Sequence, residues 1–159
     1  MAKKILTLDD ELDDDFSLIA IVGQVESYKL AFNINQELGL NLKRSRKDYD
    51  VKIKGEMAFF DIYEKENEAD DEYFYLIRTI GQNEIQDAPP ENLNLFGQSE
   101  EKRAVLIPAL KKVDYLLKFK TPKVSADEIL RKLKIIPPVA LAYMVEDPAI
   151  ISHKNLIFY

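Results

Sequence analysis

From Val113 to Phe119, large side chains at Val113, Tyr115, Leu117 and Phe119 alternate with Asp114, Leu116 and Lys118. A period of two predicts a strand with one buried face. Pro108 has no amide hydrogen for a ladder, so it marks the start of this strand or a bulge. Lys4 to Leu8 and Phe16 to Val22 read as two further short strands, the second for its β-branched content. Leu30, Ile34 and Leu38 fall at i, i+4 and i+8 with Ala31 beside them, which predicts a helix capped by Ser27 and running to Leu38. Gly39 stands where a left-handed residue closes such a helix.

Val51, Ile53, Met57 and Phe59 predict one strand with a bulge at Gly55, and the phase slips near Phe59-Phe60. The polar run Glu64–Glu72 reads as a hairpin turn, and Tyr73 to Ile80 as an inner strand, apolar on both faces. Residues 82–102 hold Pro89-Pro90, several Asn and Gly97, the composition of a surface loop. Ser125-Ala126-Asp127-Glu128 is a capping box opening a short second helix that Pro137-Pro138 must end. Val139, Leu141, Tyr143 and Val145 then alternate as a strand with Ala140 and Ala142 behind, and Asn155–Tyr159 reads as a last short one. These elements predict a single α+β domain: a mostly antiparallel sheet with two helices on one face, with a ferredoxin-like core plus added strands as one arrangement.

Composition narrows the classes. At 47% hydrophobic and 31% charged, 159 residues suffice for a buried core and lack the signature of disorder. No apolar run is long enough for a membrane span, and after Met1-Ala2-Lys3-Lys4 only Ile5–Leu8 precede the acids, so no signal-peptide pattern appears. The chain has no cysteine, which removes disulfides, thiolate nucleophiles and cysteine-held zinc together, and a cytoplasmic protein is the simplest expectation. Charge is divided unevenly. Residues 1–101 carry 11 Lys/Arg against 23 Asp/Glu, whereas 102–159 carry 11 against 5. Opposed halves can attract within one chain or between two copies, and the net charge of −6 argues against a dedicated nucleic-acid binder.

Ile107-Pro108 followed by Val113-Asp114-Tyr115 resembles the signature of the IPExxxVDY family of small bacterial proteins, found chiefly in Bacteroidota. Length, the stretch Tyr28-Lys29-Leu30-Ala31 and the helix over Asn33–Leu38 are similar too. Ala109 stands where the family signature has glutamate, so any role of that glutamate is missing here. The resemblance implies a cytoplasmic bacterial protein and brings no activity, cofactor or catalytic residue with it.

Candidate chemistry is sparse. Asp114 and Tyr115 project to opposite faces of a strand and cannot form one acid–base couple. Paired with Lys or Arg, Asp114 would fix register; in a cleft it would serve as a general base or hold a small ligand. The structural role is favoured, because a lone carboxylate without a partner at defined spacing is a weak catalytic signal. The acidic run Asp9–Asp15 fails the EF-hand template, since its sixth residue from Asp9 is Asp14 rather than glycine and its twelfth is Ala20 rather than glutamate. Lys43-Arg44-Ser45-Arg46-Lys47 offers Arg44 and Arg46 to phosphates, with Tyr49, Tyr63, Tyr73 and Tyr75 nearby for stacking, but no RNP-type motif accompanies them.

His153 is the only histidine, and the 5 glycines form no phosphate loop. No metal or other cofactor is expected. Leu95 and Phe96, in an otherwise polar stretch, and the terminal Leu156-Ile157-Phe158-Tyr159 could dock on a partner, with docking on their own chain the simpler alternative. The leading expectation is a protein-interaction or self-associating module, a possible homodimer, leaning away from enzyme. The alternatives are a nucleic-acid-associated factor using Lys43–Lys47, or a small-ligand site near Asp114.

Overall fold

Alternation along Leu18–Ile21 and Tyr115–Phe119 buries both faces of these strands, so each must lie inside a layer covered above and below. The computed structural model describes residues 16–83 and 103–158. In chain order the elements are β1 (Ser17–Val22), α1 (Ser27–Leu38), β2 (Lys43–Arg44), β3 (Tyr49–Ile53), β4 (Glu56–Phe60), β5 (Ile62–Asn67), β6 (Glu72–Arg78), β7 (Ile80–Asn83), β8 (Arg103–Val105), β9 (Tyr115–Lys120), α2 (Ala126–Lys134), β10 (Leu141–Met144) and α3 (Pro148–Ile151). The fold is α+β, with two antiparallel sheets. The larger has the order β10-β1-β9-β6-β5-β2 and the smaller β3-β4-β7-β8.

Four strands of the larger sheet, β10-β1-β9-β6, arise in the chain order β1, α1, β6, β9, α2, β10. That is the split βαβ arrangement of ferredoxin-like folds, with β5 and β2 added at one edge. Both long helices lie on one face. Leu30, Ala31 and Ile34 of α1 and Ile129 and Leu133 of α2 pack on Ile19, Ile21, Phe74, Leu76, Tyr115, Leu117 and Phe119. The opposite face is covered by the smaller sheet, where Ala58, Phe60, Ala104, Leu106, Ile107, Leu110 and Val113 meet Leu18, Ala20, Ile77 and Leu116.

The helix boundaries follow local chemistry. Ser125 Oγ accepts from the Glu128 amide at 3.3 Å and caps α2. Gly39 closes α1 at φ 63°, in the left-handed region that disfavours a side chain. Ser27 is the first helical residue of α1 rather than its cap. Glu26 holds the cap position without a side-chain hydrogen bond, and Ser27 Oγ donates to Asp61 Oδ2 at 3.0 Å.

Several expectations are corrected. The single strand over Val51–Phe59 is a hairpin: Lys54 (φ 51°) and Gly55 (φ 83°) form a two-residue turn, and Ile53 pairs with Glu56. The phase slip at Phe59-Phe60 marks the place, Asp61, where the chain leaves the smaller sheet for the larger. Another exchange occurs at Thr79, so Ile80 opens β7 and does not extend the Phe74–Leu76 row. β5 runs to Asn67, which confines the hairpin turn to residues 68–71.

Other boundaries shift as well. β9 begins at Tyr115, and the Pro108–Leu110 stretch is a 3-10 turn that brings Ile107, Leu110 and Val113 into the core. Asn155–Phe158 is not a strand, since Lys154–Leu156 forms a 3-10 turn, and Tyr159 lies outside the described residues. The proposed strand Lys4–Leu8, the acidic run Asp9–Asp15, the greater part of the 82–102 loop, Leu95 and Phe96 lie outside the described residues.

Candidate functional site

Asp114 and Tyr115 act on the same object, the loop that carries β1 into α1. Asp114 Oδ2 accepts from the Gly23 amide at 2.8 Å, and the Asp114 amide donates to the Ile21 carbonyl at 3.0 Å. The Tyr115 hydroxyl donates to the Val25 carbonyl. Gly23 is required here because a Cβ would sit 2.5 Å from the Pro138 carbonyl oxygen. The partner of Asp114 is therefore a backbone amide, not the Lys or Arg that would have fixed register. Burial is the largest influence on Tyr115 and raises its phenol pKa above the usual value; nearby Arg78 opposes this and Asp114 adds to it.

A cleft of about 300 Å³ opens beneath this loop, lined by Gly23–Glu26, Arg78, Ile80, Arg103, Asp114 and Tyr115. Arg78 extends the Phe74–Leu76 row of β6 and pairs across the sheet with Tyr115; Arg103 is the first residue of β8 and pairs with Gln82. Both arginines are exposed, and neither was singled out from sequence. The signal that could have found Arg78 is the charge it places at the end of an apolar alternation.

The remaining sequence candidates are scattered. Ile107 and Val113 are core residues between the sheets, and Pro108 starts the 3-10 turn at their surface. Arg44, on the edge strand β2, does not line the cleft: its guanidinium binds Asp48, donates to Asp61 Oδ1 at 3.0 Å, and lies 5.8 Å from the Tyr63 ring centre. Arg46 is exposed. The described part of the tail, Leu156–Phe158, packs on its own chain. Leu156 is buried, Tyr49 donates to the Ile157 carbonyl at 2.9 Å, and the Phe158 ring meets Tyr49 and Tyr75 at 4.9 and 5.3 Å.

A second surface lies at the far edge of the larger sheet. Alternation in β10 is inverted from the expectation: Ala142 packs inward on the helix side, while Leu141 is 53% and Tyr143 38% exposed. The smaller sheet reaches Val145 and stops short of them. Among the described residues no strand pairs with the outer edge of β10. The other edge of the same sheet ends in Lys43-Arg44, two charged residues that discourage further pairing.

No helix among the described residues is long and apolar enough to cross a membrane. Comparison of the chain with family models, curated proteins and solved structures finds no match.

Proposed function

We propose that the protein is a cytoplasmic interaction module that pairs with a second copy of itself through β10. The observation that carries this reading is the contrast between the two edges of the larger sheet. An unpaired edge is a template for further strands, and chains blunt it with charge or shortness where pairing is harmful. β2 is blunted in both ways, whereas Leu141-Ala142-Tyr143-Met144 carries no charge and turns two large side chains outward. A twofold axis beside β10 would continue the sheet antiparallel into the second copy and set the Leu141 and Tyr143 side chains of the two chains against each other.

The likeness of Ile107–Tyr115 to the IPExxxVDY signature agrees with a structural use of those residues: they hold the loop and the core. A nucleic-acid role for Lys43–Lys47 has less support, because Arg44 already engages two carboxylates.

Multi-angle light scattering on the native chain and on Leu141→Lys and Tyr143→Lys tests the reading. The native chain is expected to run as a dimer and both variants as folded monomers with unchanged circular dichroism. A monomeric native chain at the highest soluble concentration, or variants that stay dimeric, overturns it.

A further inference from the structure

A guanidinium offers five donors in a fixed fork and engages carboxylates readily where the fold brings one within reach. Arg44 contacts Asp48 and Asp61, and Arg131 contacts Glu128 at 3.9 Å. Arg78 and Arg103 have no such partner within 4.0 Å among the described residues, although Asp114 and Glu26 line the same cleft. Those two acids have other engagements. Asp114 Oδ2 accepts from Gly23, and Glu26 lies 4.0 Å from Lys29.

The cleft therefore holds two arginines whose forks are unspent, drawn together from β6 and β8 by the β6–β7–β8 path. Its floor is fixed by the hydrogen bonds of Asp114 and Tyr115 to the loop, so the arginines work against a rigid wall. A volume of about 300 Å³ is at the small end of ligand sites and suits a metabolite-sized molecule rather than a polymer. We propose that this cleft binds a compact anion, a phosphoryl or carboxylate group gripped between Arg78 and Arg103. Ile80 supplies an apolar wall for the remainder of the ligand, and the exposed side chain of Gln24 an amide at the rim. This site is separate from the β10 edge, and a Leu141→Lys chain retains it.

The test is a titration of ¹⁵N-labelled protein with sodium orthophosphate and, separately, sodium succinate, at constant ionic strength with sodium chloride as the balance. Saturable shifts are expected at the amides of Gly23–Glu26, Arg78 and Arg103, with a plateau that chloride does not reproduce. Arg78→Gln and Arg103→Gln, both at exposed positions, are each expected to weaken binding about tenfold, as loss of one charge-assisted contact does. Saturation by orthophosphate alone assigns a phosphoryl ligand, and by succinate alone a carboxylate. Linear shifts with both salts, or the same saturation in the Arg78→Gln/Arg103→Gln double variant, overturns the proposal.

Discussion

The carboxylate of Asp114 accepts the Gly23 amide at 2.8 Å across 91 residues of sequence, tying the segment before β9 to the end of β1. The next residue, Tyr115, ties down Val25 in the same loop. The pair thus sets where α1 begins, and with it the wall of the cleft. Replacing Asp114 by Ala should cost about 1–3 kcal/mol, because a half-buried amide loses a charged acceptor. Asp114→Asn keeps an acceptor oxygen and should lose less. Urea midpoints of the two variants compare directly; equal losses would mean that the hydrogen bond is not what matters there.

Gly23→Ala should destabilise by about 1–3 kcal/mol through overpacking, since its methyl group would meet the Pro138 carbonyl oxygen at 2.5 Å and that carbonyl is backbone. Gly39→Ala meets no atom within 4 Å and carries only the strain of φ 63°, about 1 kcal/mol. Thermal melts of the two variants should rank in that order.

The Glu72 side chain is 3% exposed and bound by Thr121 Oγ1 at 2.6 Å and Lys65 Nζ at 3.0 Å, with Lys123 Nζ at 3.8 Å. Burial alone would raise its pKa, but the Thr121 and Lys65 hydrogen bonds and the two lysine charges outweigh it and leave the carboxyl below its usual 4.5. A depressed carboxyl pKa contributes stability that is complete above 4.5 and is lost as pH falls through the folded value. The native chain should therefore outlast Glu72→Gln at neutral pH, and the gap should close in acid. Urea unfolding of both proteins from about pH 7 down to about pH 3 reads this out; a gap that stays constant would contradict it.

Tyr115→Phe removes the hydroxyl from Val25 and should cost about 1 kcal/mol. The phenol pKa of Tyr115 is raised, chiefly by burial, so its contribution is whole below 10 and fades as pH rises above that through the folded value. The native advantage over Tyr115→Phe should shrink in alkali. Unfolding midpoints measured on either side of pH 10 check the sign.

What the sequence disclosed was mostly helix and strand with a strong local pattern. The Leu30–Ile34–Leu38 row with Gly39, the Ser125 cap and the Tyr115–Phe119 alternation each dictate their element without help from elsewhere. The smaller sheet was hidden because its strands are short and its hairpin turn, Lys54-Gly55, mimics a bulge in one continuous run. In β10 the period of two marks two faces but not which is covered: Ala142 and Met144 turned out to face the helices, and Leu141 and Tyr143 to be exposed. Asp114 was visible as a candidate, yet Arg78 and Arg103 were not. Twenty-five positions separate them, and only the path through β7 and β8 brings both to one cleft.

The exchanges between sheets are fastened to one another. The Arg78 amide donates to the Asp61 carbonyl at 3.0 Å, the Thr79 amide to the Asp114 carbonyl at 3.0 Å, and the Leu106 amide to the Thr79 carbonyl at 2.9 Å. The crossings at Asp61, at Thr79 and between Leu106 and Asp114 are thus knots in the same seam, and peeling away the four-stranded layer would have to undo the seam itself. Neither layer is therefore expected to melt by itself, and calorimetry should show one cooperative transition for the described body, with two separate transitions contradicting the shared seam.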